Sequence, residues 1–165
     1  MMRILPLGLA LALTSCGLRP MYAGGGSGSA ATSLRAVDVQ PIPGKAGWLV
    51  HKALAQRLGD PESGARYRLE VELDDNITGF GIRGDSAATR ERRTLRARYR
   101  LVEMATGAVV VDATAGSDAG IDVVSSQYAT VAAEQTALER LSEVIADQMV
   151  SRLAVYMTRT QPAVR

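Results

Sequence analysis

The sequence predicts an α+β two-layer sandwich, a four-stranded, mainly antiparallel sheet with two helices on one face, in the order β-α-β-β-β-α. Segments 66–74, 92–104 and 108–115 carry strand signals, the first two alternating apolar and polar residues with the period of half-buried strands and the third rich in valine. Segments 45–58 and 125–157 instead place apolar residues at three- and four-residue spacing, the period of amphipathic helices. Each strand then has one apolar face and each helix one apolar stripe. Burying them all together calls for both helices on the same side of one sheet.

Residues 1–15 read as a lipoprotein signal peptide. Arg3 supplies the positive start, and Ile4 to Leu13 is an apolar run of about 10 residues, far below the ~20 that span a bilayer. Leu13, Thr14 and Ser15 then give the apolar and small residues that a lipoprotein peptidase requires before its cysteine. Cys16, the chain's only cysteine, is the expected lipid attachment site, bearing a diacylglyceryl thioether and an acylated (palmitate-type) α-amine. At ~0.8 kcal/mol per buried CH₂, two or three chains anchor stably where one does not. The alternative is an ordinary secretory signal followed by a free thiol, a liability in an oxidising compartment.

Residues 16–33, rich in Gly, Ser, Ala and Thr, form a lipidated flexible tether with an r.m.s. reach of roughly 20–25 Å. Residues 34–157 form a single domain, and 158–165 a frayed tail. Within the domain, Leu34 to Gln40 is a short strand stopped by Pro41 and Pro43. Lys45 to Leu58 is the first helix, ended by Gly59 and Pro61. Arg66 to Asp74 buries Tyr67, Leu69, Val71 and Leu73; Arg92 to Met104 buries Leu95, Ala97, Tyr99 and Leu101. The Gly-, Asp- and Ser-rich stretch from Asp75 to Glu91 between them is expected to be a long loop. After the turn at Ala105 to Gly107 comes a valine-rich strand, Ala108 to Ala115, and then a polar loop or ragged strand end over 116–124. Ser125 or Ser126 caps the last helix, whose stripe is Leu138, Leu141, Ile145, Met149, Leu153 and Tyr156.

The formal charge of +2 falls to about +1 without Arg3, which gives no bulk electrostatic case for nucleic acid. Catalysis has little support: there is no histidine pair, usable thiol, nucleophile elbow or metal-ligand spacing, and no cofactor motif. His51, the single histidine, is expected on the solvated side of its helix. Glu134, Glu139 and Glu143 read as a solvated helix face.

The informative charge is local. Arg92, Arg96, Arg98 and Arg100 share one strand face by the period of two. Antiparallel pairing can bring Glu70, Glu72 and Asp74 opposite or diagonal to Arg98, Arg96 and Thr94, in exposed pairs worth ~0–1 kcal/mol each. The other reading is an anion-binding surface, since the guanidinium fork matches phosphate and carboxylate. Arg83, Arg90, Arg92 and Arg93, in or beside the expected loop, are expected to have fewer acidic neighbours than the strand arginines do. With Arg96 they are the candidate ligand-binding residues.

The segment Cys16-Gly17-Leu18-Arg19-Pro20-Met21-Tyr22 resembles the Cys-Gly-x-x-Pro-x-Tyr start of the LptE family of lipopolysaccharide-assembly lipoproteins in its alphaproteobacterial form. Ser126 to Glu134, Ile145 to Gln148 and Arg152 to Tyr156 are similar to that family's last helix. The resemblance implies a non-enzymatic plug and assembly factor for the LptD outer-membrane β-barrel, with direct lipopolysaccharide binding. It implies attachment to the periplasmic side of the outer membrane through acyl chains on Cys16, with Gly17 favouring transport there. An auxiliary lipoprotein of an ABC-type lipid-transport system is the competing class. Cys16→Ser is expected to abolish processing and acylation. Metabolic labelling with a radioactive fatty acid checks this, and a labelled Cys16→Ser protein would refute the assignment.

Overall fold

The computed structural model describes residues 33–59, 64–82 and 88–160. The signal peptide, Cys16 and Arg83 therefore lie outside the described residues. The elements are β1 (Val37–Val39), α1 (Gly44–Leu58), β2 (Tyr67–Ile82), β3 (Ala88–Glu103), β4 (Val109–Asp122) and α2 (Gln127–Thr160). The strands lie in sequence order β1-β2-β3-β4, with β1 parallel to β2 and the other two pairings antiparallel. This is the expected α+β two-layer sandwich, with one parallel pair making the sheet mixed.

One segment expected as a loop is strand, and one expected as a loop or ragged strand end is strand over most of its length. Residues 75–82 and 88–91 extend β2 and β3 into one long hairpin, in unbroken register from Tyr67↔Glu103 to Phe80↔Arg90. Its Gly, Asp and Thr content obscured the pattern, but ladder pairing does not need an apolar face at every position. At Gly81, where φ is +75°, the Thr89 hydroxyl donates to the glycine carbonyl (2.8 Å). Likewise 116–122 continues β4, paired with β3 as far as Arg90↔Asp122.

The helices cover one sheet face. Leu69, Val71, Leu95, Ala97, Tyr99 and Leu101 meet Val50, Leu54 and Leu58 of α1 and Leu138, Leu141, Ile145, Met149 and Leu153 of α2 in one buried cluster. The buried band on α2 is wider than the expected stripe and takes in Ser142, Ala146, Val150 and Ala154, because α2 meets α1 as well as the sheet. Ser142 stays satisfied by donating to Leu138 O (2.8 Å). Small residues permit close approaches elsewhere: a Cβ on Gly47 would stand 2.4 Å from Ile42 O.

The helix ends follow the sequence. Gly59 (φ +75°) ends α1 and its N–H donates to Ala55 O (2.9 Å). Ser126 precedes α2, its hydroxyl accepting from Ala129 N–H (3.4 Å). α2 continues to Thr160, three residues beyond the expected domain end. Arg57 fastens α1 to α2 through Asp147 (2.6 Å) and Glu143 (2.6 Å), and the Asp147 hydrogen bond leads in raising its pKa. So Glu143 is not merely solvated. Nor is His51, which is half-buried with Nε2 3.3 Å from Val39 O.

Ile145, fully buried in this cluster, tests the assigned helix face. Ile145→Asp places an unpaired charge there and is expected to cost about 3–5 kcal/mol. Thermal denaturation checks it; an unchanged midpoint would mean that α2 buries a different face.

Candidate functional site

The face of the sheet away from the helices is charged. Arg90, Arg92, Arg96, Arg98 and Arg100 run along β3, flanked on β2 by Glu70, Glu72 and Asp74 and on β4 by Asp112, Asp118 and Asp122. The register sets Glu70 opposite Arg100, Glu72 opposite Arg98 and Asp74 opposite Arg96, which leaves Arg98, Arg96 and Thr94 as the diagonal neighbours, one of the two expected arrangements.

The arginines near the hairpin end have acidic partners after all. Arg90 Nε donates to Asp122 (3.2 Å), Arg92 stands 4.0 Å from Asp118, Arg98 bonds Asp112 (3.1 Å) and Arg100 bonds Glu70 (3.2 Å). Arg92 also lies over the Phe80 ring, 5.5 Å from its centroid. These acids come from β4 as well as β2, across strand pairings that sequence proximity does not reveal.

Arg93 is a different case. An odd position turns it toward the helices, where its fork grips Asp75 (2.6 and 2.8 Å) and its third nitrogen donates to Glu134 O of α2 (3.0 Å). Its side chain is only 13% exposed. Arg93 joins the hairpin to the helix and is not on the same face as Arg90, Arg92 and Arg96.

Arg96 alone among the open-face β3 arginines has no carboxylate within ion-pair distance among the described residues. Its guanidinium donates to Ser117 O (3.1 Å) and Leu95 O (3.4 Å). It lies flat across Gly116, where a Cβ would come within 2.5 Å of Arg96 Cδ. A glycine on β4 thus seats an arginine that keeps donors free.

The Arg98 hydrogen bond holds the Asp112 carboxyl below the usual carboxylate range, and Asp112 raises Arg98 in return. Glu103 is lowered too, first by the Thr106 hydroxyl and then by Arg66. Depressed carboxylates contribute stability above their unfolded pKa and lose it as pH falls through the folded value.

Apolar surface collects on the helix side, beyond the N-terminal end of α1. Ile77 of β2 and Tyr128, Val131 and Leu138 of α2 line a groove of about 790 Å³, with Lys45 and Arg93 at its border. Tyr128 is 90% exposed, Val131 55% and Ile77 38%. Sequence reading missed this groove because Ile77 fell in an expected loop. Among the described residues, no cluster of His, Cys, Asp and Glu is placed to hold a metal, and no helix is long and apolar enough to cross a membrane.

A long hairpin with a charged open face, backed by two helices, defines a small α+β domain. Residues 34–153 match the family model "LptE: Lipopolysaccharide-assembly", and the chain belongs to that family. No curated protein matches it. Solved structures share the fold. A protein described as a lipoprotein from Caulobacter crescentus CB15 superposes with a TM-score of 0.69 at 24% identity, over 82% of this chain and 100% of that one. A minor lipoprotein from Acinetobacter baumannii gives 0.58 at 13%, over 78% and 98%. The rare lipoprotein B from Shewanella oneidensis gives 0.55 at 9%, over 74% and 96%. Family and fold are consistent with an outer-membrane lipoprotein.

The Arg98–Asp112 pair is directly testable. In a pH titration followed by NMR, the Asp112 carboxyl is expected to titrate below a free aspartate, and Arg98→Gln to return it upward. An unchanged Asp112 titration in that variant would show that the pair does not persist in solution.

Proposed function

We propose that this protein is the plug and assembly factor of an LptD-type outer-membrane β-barrel in lipopolysaccharide transport to the outer leaflet. It binds lipopolysaccharide directly and is held to the membrane by acyl chains on Cys16. The observation that carries the reading is the charged open sheet face of a chain from a lipopolysaccharide-assembly family. A barrel lumen is polar and wet, and a plug within it needs a hydrophilic surface without a large net field. Alternating arginine and carboxylate ladders supply that.

The same ladders set the terms for lipopolysaccharide. Its phosphates would compete for arginines whose present partners are exposed carboxylates, and such pairs are worth only ~0–1 kcal/mol each. Arg96, with carbonyl partners only, gives up no ion pair to bind an anion. Arg90, Arg92 and Arg96 are therefore the ligand arginines in this reading, with Arg93 supporting the hairpin. Arg83 remains a further candidate of the same group.

Affinity purification from detergent-solubilised membranes tests the partner, with recovery of a large β-barrel in stoichiometric amount expected. In the same preparation, Arg90, Arg92 and Arg96 changed together to Ala should weaken lipopolysaccharide binding about tenfold or more, with thermal stability within about 1 kcal/mol of the parent. Equal lipopolysaccharide binding by the triple variant would remove these residues from the ligand site, and absence of the barrel would remove the plug.

A further inference from the structure

We infer that the free edge of β2 is a docking site for an extended segment of the barrel partner, which joins the sheet as an additional strand. This rests on the partner reading above and names where the contact is made.

Tyr67 N–H donates to Ala36 O (3.0 Å) and Leu69 O accepts from Gln40 N–H (3.0 Å), so these odd-numbered residues turn their backbone groups away from β3. β1 ends at Val39, while β2 runs on to Ile82. The unbroken β2–β3 register carries the parity forward. Val71, Leu73, Asp75, Ile77 and Gly79 thus present N–H and C=O groups along an open edge at a spacing of about 6.6 Å. Among the described residues, none hydrogen-bonds to these backbone groups.

The same parity places their side chains on the helix side, where Ile77 opens into the groove with Tyr128, Val131 and Leu138. A strand laid along this edge would satisfy the backbone row and drop alternate side chains against the groove, the two components of strand addition. Two of the usual edge guards are missing, since Val71 to Gly81 contains no Lys or Pro; of its three acids, Glu72 and Asp74 lie on the opposite face and the Asp75 charge is taken up by Arg93. The opposite edge is engaged at one position among the described residues. Gln148 of α2 pairs its side-chain amide with both backbone groups of Gly116 on β4 (3.1 and 3.3 Å), standing in for a neighbouring strand. An acyl chain would suit the groove, but hydrocarbon has no use for a row of hydrogen-bonding groups, so a peptide is the better fit.

The test uses the full-length chain co-expressed with its barrel and purified in detergent. Ile77→Pro deletes an outward N–H and leaves the β2–β3 ladder its bonds, whereas Ile77→Ala trims the side chain and keeps the N–H. Ile77→Pro is expected to lower barrel recovery about tenfold and Ile77→Ala much less, with both variants melting as the parent does. A photo-crosslinker in place of Gly79, on the groove side of the edge, is expected to capture the barrel, and one in place of Arg140 is not; this arm stands even where Ile77→Pro fails to fold, and no capture from Gly79 would overturn the proposal. Unchanged recovery with folded Ile77→Pro, or equal loss with both variants, would overturn strand addition. A fall in mass from dimer to monomer on Ile77→Pro would assign the edge to a second copy instead. Loss of lipopolysaccharide binding by both variants with barrel recovery intact would assign the groove to a lipid. If the wild-type chain itself recovers no barrel, the partner reading fails and this site with it.

Discussion

A mismatch of lengths governs this molecule. β2 and β3, at 16 residues each, and α2, at 34, are each about 50 Å long, whereas α1, at 15 residues, reaches only about 22 Å and β1 has three residues. The short elements therefore cover one end of the hairpin. There Leu54, Leu58, Leu69, Leu101, Met149 and Leu153 are buried to the last few per cent. At the other end α2 and the hairpin continue without α1, which among the described residues leaves Ile77, Tyr128 and Val131 exposed and the β2 edge unpaired. A polar fastening, Arg93 to Asp75 and Glu134, holds hairpin to helix where apolar packing thins out.

Charge is distributed on a different logic from burial. The arginines of β3 are compensated from both sides, by carboxylates on β2 and on β4, so the open face carries dense charge with little net field. Such a face resists collapse onto apolar surfaces and stays hydrated. It also makes anion binding an exchange of partners and not an attraction at a distance, so any ligand selectivity would reside in geometry, above all in the fork of Arg96 over Gly116.

Where burial is one-sided, the sequence was readable: Tyr67 to Leu73 and Leu95 to Leu101 alternate because helices cover them, and Gly59 and Ser126 punctuate the helices by local chemistry. Reading failed where that cover ends. From Asp74 to Phe80 every residue is exposed, so no alternation marks the strand, and hydrogen bonding to β3 alone defines it. The candidate arginines were visible as a group, but their acids sit on β4, up to 32 residues away. Arg93 was separable from its neighbours by the parity of the expected strand itself, which puts it on the side of Leu95 and Ala97; grouping it by nearness to the loop hid this. The groove required knowing that α1 ends short of α2, which no local pattern states.

Gln148 has a consequence at the scale of assembly. A sheet with two free edges is a bifunctional monomer: the edge of one copy can take the opposite edge of the next, and a head-to-tail contact that does not close propagates as a filament. By occupying the N–H and C=O of Gly116, the Gln148 amide blocks one of the two edges at its middle. A strand approaching β4 would have to displace that amide, so the two edges accept a neighbour on unequal terms.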